Sequence, residues 1–429
     1  MSLPFGLAVY RAASGLLAGF APGLLHSRAA RGKEDPARLT ERLGVASAPR
    51  PDGPLLWLHA ASVGESLVAR LLIAALAERR PDLSFLLTTG TVTSARLVAQ
   101  RPPPRSVHQF APVDSPAAVA AFLDHWRPTA GAFLESELWP NLLLAAQARG
   151  VRLALLNARM TGKSAAGWGR VPASAARLLS VFAVIQAADG RTAAALTSLS
   201  GRTVGSPGNL KLAAPAPGVD PAARGAVTAG IGGRPVWLAA SSHPGEEAII
   251  ADAHLKLTMA AQDALLILAP RHPDRADDIA RDLAARGLIC ARRSKGEAPR
   301  RDQPVWLWDT LGELSVAYAA SPVALVAGSL AAGIGGHNPV EPAQLGSAIL
   351  TGPHVGNFED VFDALVEADA CTVVLPPDAD ALARAVAGLW GDPAGARART
   401  DRARRLVGSG AGVLTAALDA LEPLLEPRT

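Results

Sequence analysis

Two acidic motifs in the first half of the chain have the residue types needed for proton transfer. The motif HAASVGE, residues 59–65, follows an apolar run and ends in Glu65 at the predicted start of a helix, where a carboxylate is favoured. A carboxylate held in a cleft can act as a general base. The competing interpretation of Glu65 is a helix-capping residue, and spacing alone does not separate the two.

A second motif, LESELWPN at residues 134–141, places Glu135 and Glu137 two positions apart after another apolar run. In an extended segment these side chains point the same way, and two like charges held close together raise one pKa. The motif predicts a pair of carboxylates, with an ordinary capped loop as the alternative. The motif GNLK at residues 208–211 adds Lys211 in a turn-rich passage, where a lysine is usually solvated.

Motifs in the second half suit an anionic ligand. Arg271 follows a predicted strand in the motif APRHPDR, and a guanidinium offers a planar fork of donors to phosphate. Its neighbouring block SSHPGEE, residues 241–247, also follows a predicted strand. Ligands of open α/β sheets bind at the carboxyl ends of strands, so both blocks are candidates for the binding site.

A glycine-rich loop, residues 328–339, lies between a predicted strand and a helix predicted to begin near Pro339. Such a loop presents backbone amides and a helix start to phosphate, and Glu341 in the first turn of the helix has acceptors for a ribose diol. The alternative is a plain glycine-rich turn. The loop is not a GxGxxG fingerprint and the chain has no Walker lysine motif, so the usual dinucleotide and P-loop interpretations are weak.

Strand-like and helix-like segments alternate on both sides of these motifs, which predicts two doubly wound α/β domains. Predicted strands of the first domain are 55–59, 84–88, 131–134, 152–157 and 181–186, and those of the second are 236–240, 264–269, 305–308, 322–326 and 348–350. A passage rich in glycine and proline, residues 201–233, separates them and is interpreted as a linker.

Length and charge narrow the class of protein. A chain of 429 residues is long enough for two domains. Residues 1–50 hold 7 basic and 3 acidic side chains, which leaves 35 of each in the rest of a chain whose net charge is +4. A neutral body with 4% aromatic residues has neither the basic stripe nor the stacking platforms of a nucleic-acid-binding protein. The 2 cysteines define no disulfide framework or zinc site.

The N-terminal segment, residues 3–25, is apolar apart from Arg11 and is followed by basic residues at positions 28–42. Its uninterrupted part is shorter than the roughly 20 residues that span a bilayer, and positive charge after an apolar stretch is the reverse of a signal peptide. This order keeps the downstream chain cytoplasmic. The segment predicts an anchor that lies on the membrane or spans it weakly, with a first core helix as the alternative.

Taken together, the motifs resemble the 3-deoxy-D-manno-octulosonic acid (Kdo) transferases of lipopolysaccharide synthesis. HAASVGE, ESELWPN, NARMTGKS, GNLK, SSHPGEE, PRHP, DTLGEL and GGHNPVEPA occur in that family's order between about residues 37 and 425. The resemblance implies a GT-B glycosyltransferase, with two Rossmann-like doubly wound domains and an interdomain cleft. It further implies that CMP-Kdo binds the C-terminal domain and a lipid A precursor the N-terminal one, at the cytoplasmic face of the inner membrane, with no cofactor or metal.

The resemblance also assigns residues and boundaries. Glu65 matches the general base, and Glu135 and Lys211 match positions that stabilise the transition state. The CMP-binding segments match Pro270, Arg271, Leu311, Gly312, Glu313, Asn338, Pro339, Val340 and Glu341. The implied divisions are an anchor at 1–36, an acceptor domain at 37–208, a linker at 209–233, a donor domain at 234–410, and a C-terminal helix at 411–429 packing back on the first domain.

Three departures from the family pattern concern the linker and the acceptor side. Leu212 and Ala213 replace an aromatic residue and an aspartate, so the support that the aspartate gives to Lys211 is missing. Pro244 replaces an acidic residue and Lys163 an arginine. Two other functions remain open: a GT-B transferase or epimerase that uses a UDP-sugar, and a noncatalytic membrane-associated scaffold in which Glu65 is dispensable.

Overall fold

Apolar runs become parallel strands and the amphipathic stretches between them become helices in the computed structural model of the chain. The structure describes residues 3–135 and 137–426. They form two units, one comprising the chain up to Ala214 together with the stretch from Gly410 onward, and the other Pro215–Ser409.

The first unit is a six-stranded parallel sheet with helices on both faces. Its strands are β1 (Leu55–Ala60), β2 (Ser84–Thr89), β3 (Ser106–Phe110), β4 (Ala130–Leu134), β5 (Arg152–Ala158) and β6 (Phe182–Ala187). Its helices are α1 (Phe5–Leu17), α2 (Ala21–Ala30), α3 (Leu39–Arg42), α4 (Val63–Arg79), α5 (Val92–Gln100), α6 (Pro116–Trp126), α7 (Pro140–Ala148), α8 (Gly162–Gly169), α9 (Pro172–Leu179), α10 (Gly190–Ser200) and α19 (Gly410–Leu425).

Strand order in this sheet is β3-β2-β1-β4-β5-β6, the doubly wound order. Because successive strand residues face opposite sides, Trp57 packs with the helices of one face while Leu56 and Leu58 pack with α4 and α19 on the other. β1 and β4 are neighbours at the centre of the sheet, so the loops that follow them emerge side by side at its carboxyl edge.

The second unit is a seven-stranded parallel sheet of order β13-β12-β11-β7-β8-β10-β9. Its strands are β7 (Val236–Ser242), β8 (Leu265–Pro270), β9 (Cys290–Arg292), β10 (Val305–Leu307), β11 (Val323–Val326), β12 (Ala348–Thr351) and β13 (Cys371–Val373). Its helices are α11 (Pro221–Ile231), α12 (Glu246–Ala260), α13 (Ala276–Ala285), α14 (Leu314–Ala320), α15 (Val340–Leu345), α16 (Glu359–Glu367), α17 (Ala379–Gly391) and α18 (Pro393–Gly408).

The passage interpreted as a linker is partly structured, which differs from the sequence interpretation. Its first part forms a 3-10 turn, Leu210–Ala213, and its second part is α11, capped by the Asp220 side chain. Val227 and Ile231 of α11 pack on the second sheet. The sequence hid this helix because alanine and glycine supply most of its residues and only two large apolar side chains mark its buried face.

The N-terminal segment is two helices on the surface of the first unit, so its interpretation as a core helix is wrong. Tyr10 of α1 donates a hydrogen bond to Asp114 at 3.0 Å, and Asn141 donates one to Ser14 at 2.8 Å. The stretch Phe5–Ala30 is long and apolar enough to cross a membrane, and only 6% of its most apolar window is buried. We call its exposed side chains Leu16, Leu17, Phe20 and Leu24 the apolar ridge.

Candidate active site

Glu65 lies at the carboxyl end of β1, in the first turn of α4. Ser62 is the N-cap of this helix and accepts a hydrogen bond from the Glu65 amide at 3.3 Å, while the Glu65 carboxylate accepts one from the Ala61 amide at 2.7 Å. This reciprocal arrangement is close to a capping box, so the capping interpretation of Glu65 is correct in its geometry. The residue is nevertheless only 5% exposed, which is uncommon for a carboxylate that serves merely as a cap.

Burial raises the pKa of Glu65, and the nearby charge of Glu135 raises it further, whereas the hydrogen bonds from Ser62 and Ala61 oppose the change. A carboxylate with a raised pKa binds a proton more strongly than an ordinary glutamate does. Buried carboxylates with a raised pKa are found at sites of acid–base chemistry.

Glu135 follows β4 and forms an ion pair with Lys211. Its Oε1 lies 2.7 Å from the Lys211 Nζ, with the two side chains 19% and 9% exposed. Glu135 adopts φ of 59°, a left-handed conformation that side-chain-bearing residues rarely adopt. Such backbone strain is tolerated where the surrounding structure fixes it, and functional sites are where it is most often found. Lys211 is therefore a largely buried partner of a carboxylate, and its interpretation as a solvated linker residue is wrong.

Two asparagines hold the turn that carries Lys211. Asn157, at the end of β5, accepts a hydrogen bond from the Leu210 amide at 2.8 Å, and Asn209 accepts one from the Lys211 amide at 3.0 Å. They fix the backbone around Lys211 although Leu212 and Ala213 lack the aspartate of the family pattern. Sequence reasoning missed the role of Asn157, whose signal is that asparagine tolerates the φ of 53° found at this strand end.

The predicted carboxylate pair of Glu135 and Glu137 is wrong, because each has its own partner. The Glu137 carboxylate lies 3.7 Å from the His59 Nε2 and accepts a hydrogen bond from the Trp139 indole. Burial alone would raise the pKa of Glu137, but its interactions with His59 and Trp139 outweigh burial and lower it. The carboxylate that Glu135 perturbs is Glu65, which no spacing rule relates to it.

A second polar cluster lies at the carboxyl ends of β7 and β8 in the second unit. Pro270 ends β8, and the amide of the exposed Arg271 donates to the Ser242 carbonyl at 2.9 Å. His243 and His337 stack with their Nε2 atoms 2.9 Å apart, so one imidazole donates a hydrogen bond to the other. Burial lowers the pKa of His337 to about 4, with smaller contributions from His243, Arg271 and His272.

The glycine-rich loop has fewer open amides than its sequence predicts. The Gly336 amide donates to the Gly328 carbonyl at 2.8 Å, and the Val340 amide donates to the Asn338 side chain at 3.0 Å. Four glycines, Gly328, Gly333, Gly335 and Gly336, have positive φ and let the chain turn sharply. Pro339 precedes α15, a helix of only 6 residues, so the loop's shape contributes more to any site than a helix dipole does.

A buried carboxylate that sequence reasoning missed holds this loop. Glu246 is fully buried and accepts hydrogen bonds from four backbone amides at 2.8 to 3.0 Å. The four donors are His243, Gly328, Ser329 and Leu330. Glu246 thus ties the loop after β7 to the loop after β11. Glu246 belongs to the block SSHPGEE, and nothing in the sequence distinguishes it from the adjacent Glu247.

The remaining predicted binding residues lie after β10 and in the first turn of α15. Leu311 is 77% exposed and Gly312 has φ of 86°, while the Glu313 carboxylate forms an ion pair of 2.8 Å with Arg293 that lowers its pKa. Glu341 is partly buried in the first turn of α15, and burial raises its pKa. The described part of the chain contains no group of three or more His, Cys, Asp or Glu residues placed to hold a metal ion.

Known proteins are similar to this chain in both sequence and fold. Residues 37–214 match the family model of the 3-deoxy-D-manno-octulosonic-acid transferase (kdotransferase). The chain is 34% identical over 425 residues to the 3-deoxy-D-manno-octulosonic acid transferase of Haemophilus influenzae, with 94% of each chain covered. It is 36% identical over 389 residues to the transferase of the same name from Bordetella pertussis, covering 89% of this chain and 90% of that one.

A solved structure supports the fold assignment independently of sequence. The glycosyltransferase of Rickettsia africae superposes with a TM-score of 0.54 over 88% of this chain and 100% of its own, at 11% identity. At this identity the likeness concerns architecture alone. The fold is that of the GT-B glycosyltransferases, as the two parallel α/β units indicate.

Proposed function

The chain belongs to the 3-deoxy-D-manno-octulosonic acid transferase family, and from this premise we propose that it transfers Kdo from CMP-Kdo to a hydroxyl of the lipid A precursor lipid IVA, with inversion of the anomeric centre. The observation that carries the proposal is the buried Glu65 carboxylate beside the Glu135–Lys211 ion pair. A glycosyl transfer needs a base for the acceptor hydroxyl and charges that stabilise the transition state.

Glu65 is the base in this mechanism. Its raised pKa favours proton uptake from the sugar hydroxyl of the acceptor as the hydroxyl oxygen bonds to the anomeric carbon of Kdo. The bond from that carbon to the phosphate oxygen breaks, and CMP leaves with the electron pair. A single displacement of this kind inverts the anomeric centre.

Glu135 and Lys211 act on the charge that develops during the displacement: Glu135 stabilises it, and Lys211 holds Glu135 in place. Positive charge accumulates on the Kdo ring, and the Glu135 carboxylate is suited to stabilise it. Lys211 keeps that carboxylate in position at 2.7 Å and balances its charge in a half-buried setting. In the second unit the exposed guanidinium of Arg271 is suited to the departing phosphate, and Glu341 has acceptors for the ribose of CMP.

Membrane association at the cytoplasmic face of the inner membrane completes the proposal. The apolar ridge and the exposed basic residues Arg31 and Lys33 that follow it form the kind of surface that binds an anionic bilayer. A lipid acceptor would then reach the first unit from the membrane.

The test incubates the purified protein with CMP-Kdo and a tetraacylated glucosamine disaccharide bisphosphate. We expect CMP release and a lipid heavier by Kdo, with no UDP released when a UDP-sugar replaces CMP-Kdo. Glu65→Gln should abolish turnover, whereas Glu78→Gln, an exposed substitution on the same helix, should not change it. Absence of product with the wild-type protein, or full activity in Glu65→Gln, would refute the proposal.

Donor binding is tested separately by calorimetry with CMP. Arg271→Ala should weaken CMP binding by roughly tenfold or more, the usual range for a lost charge-assisted hydrogen bond. Unchanged affinity would remove Arg271 from the donor site without affecting the assignment of Glu65.

A further inference from the structure

A cavity of about 330 Å³ lies in the first unit between α2 and the carboxyl edge of the sheet. Leu24 and Leu25 of α2 form one wall, Leu142 of α7 contributes another, and His59 and Ala61 at the end of β1 form the inner end. Neither the sequence motifs nor the mechanism above assigns anything to this space.

The charged side chains that line the cavity are already paired. Glu34 accepts hydrogen bonds from Arg28 and from Arg42, both at 2.9 Å. Asp114 accepts hydrogen bonds from the amides of Asn141 and Leu142 at 3.0 and 2.8 Å. The surface that remains for a ligand is therefore mainly apolar and comes from leucine, valine, alanine, proline and tryptophan side chains, which suits an apolar group.

The inner end of the cavity adjoins the base. Ala61 lines the cavity, and its amide donates the 2.7 Å hydrogen bond to the Glu65 carboxylate. Glu137, another lining residue, contacts His59 from the loop after β4 that also carries Glu135. A ligand that fills the cavity therefore contacts Ala61, whose amide is hydrogen-bonded to the Glu65 carboxylate.

The outer end of the cavity adjoins the apolar ridge. Leu24 belongs to both, being 60% exposed on the ridge while lining the cavity. Phe20, one turn earlier, is 74% exposed. Apolar side chains thus lead from the exposed face of the N-terminal helices into the cavity beside Glu65, and the charged side chains along this path are paired with one another or with backbone amides.

We propose that this cavity binds an acyl chain of the acceptor lipid and thereby positions the acceptor hydroxyl at Glu65. The inference rests on the proposed function, which it deepens by naming the part of the substrate that the cavity recognises. An acceptor chain is favoured over a chain of a bulk phospholipid because the inner end of the cavity is built from the residues that hold the base.

The test compares two acceptors in detergent micelles: the tetraacylated disaccharide and the same disaccharide with its acyl chains removed. Leu24→Trp and Leu142→Phe each place a larger side chain against the cavity and so reduce its volume, the first at its outer end and the second at the wall formed by α7. Each variant should raise the KM for the tetraacylated acceptor by roughly tenfold, the scale of discrimination by a hydrophobic pocket, and leave the KM for CMP-Kdo and kcat/KM for the deacylated acceptor unchanged. Val45→Trp, an exposed substitution outside the cavity, is the control.

Each outcome decides one question. If both variants use the two acceptors as the wild-type protein does, the acyl-chain site is refuted while the proposed function stands. If the wild-type protein converts neither acceptor, the proposed function fails. If added phosphatidylglycerol raises the KM for the tetraacylated acceptor in the wild-type protein but not in Leu24→Trp, the cavity belongs to bilayer lipid and the commitment to the acceptor is overturned.

Discussion

Glu65 is a buried carboxylate whose ionisation destabilises the folded protein. Its pKa is raised by burial and by Glu135, so the folded protein holds this proton more tightly than the unfolded chain does. Between the ordinary value of 4.5 and the raised value, the folded state binds more protons, and the free energy of unfolding falls as the pH rises. Above the raised value the carboxylate is ionised in both states, and the full penalty is present.

A substitution that removes the charge of Glu65 should therefore stabilise the folded protein and, in the proposed mechanism, abolish its activity. We expect Glu65→Gln to raise the free energy of unfolding at pH 7 by about 1 kcal/mol, since the glutamine oxygen still accepts from Ala61. The gain should vanish below pH 4.5, where the carboxyl group is protonated in both states. Denaturant unfolding at pH 7 and pH 4 measures both values. A variant less stable than the wild-type protein at pH 7 would contradict this account.

The charge of Glu135 should be visible in the pH dependence of turnover. In the proposed mechanism Glu65 acts as a base only when it is deprotonated, so kcat/KM should rise with pH through the pKa of Glu65. In Glu135→Gln the repulsion that raises this pKa is gone, and the acid limb should move to lower pH even though the maximum rate falls. A pH profile of the residual activity measures the shift. An acid limb at its wild-type position would show that Glu135 does not act on Glu65.

At the scale of elements, one side chain joins two loops of the second unit. Glu246→Gln leaves a single acceptor oxygen for four backbone donors and turns an amide group toward them. We expect a loss of about 2 kcal/mol or more in the unfolding of this unit, and weaker CMP binding. Glu247→Gln is the matched control, because it removes a partly exposed ion pair with Arg275 and keeps an acceptor oxygen for the Ser242 hydroxyl, so it should cost about 1 kcal/mol or less. Equal losses in the two variants would refute this role of Glu246.

Helix α19 contributes core residues to the first unit from the far end of the chain. Leu421 is fully buried on the face of the sheet that also holds α4, whereas Asp419 is exposed and forms a surface ion pair with Arg79. Leu421→Ala should destabilise the unit by about 3 kcal/mol through the cavity it leaves, and Asp419→Ala by less than about 1 kcal/mol. Thermal unfolding of the two variants checks the difference, and similar melting temperatures would contradict the packing.

The positions of strands could be predicted where apolar runs are long. The prediction failed where such runs are short or interrupted by polar residues. β1, β2, β4 and β5 are found within one residue of the predicted runs because buried parallel strands require continuous apolar residues. β3 has the sequence SVHQF, too polar to be recognised as a strand, and it was missed at the edge of the sheet.

The candidate site was predictable in its residue types and not in its partners. Motif order identified Glu65, Glu135 and Lys211, but the contacts that set their chemistry join residues far apart in the chain. The hydrogen bond from Leu210 to Asn157 and the four amides around Glu246 depend on tertiary structure. Local spacing instead suggested the wrong carboxylate pair.

At the scale of the whole molecule, the excess positive charge and the apolar ridge occupy the same N-terminal stretch. A bilayer interface attracts both features. We expect Phe20→Asp to reduce binding to anionic vesicles several-fold, because the substitution places a charge on the ridge. Val171→Asp, also exposed in the first unit, is the control. Vesicle flotation measures the bound fraction, and equal flotation of the two variants would contradict membrane binding through the ridge.

The discontinuity of the first unit has a consequence for biosynthesis. Gly410 packs against the backbone of Leu212, and Val413 lies beside Gly208, so the turn that carries Lys211 rests on the last helix of the chain. Domains of a nascent chain generally fold in the order of their synthesis. Here the first unit to leave the ribosome lacks part of its core until the second has been translated. The turn that carries Lys211 is therefore fully supported only after α19 has been translated, and a polypeptide interrupted before Gly410 lacks the helix on which this turn packs.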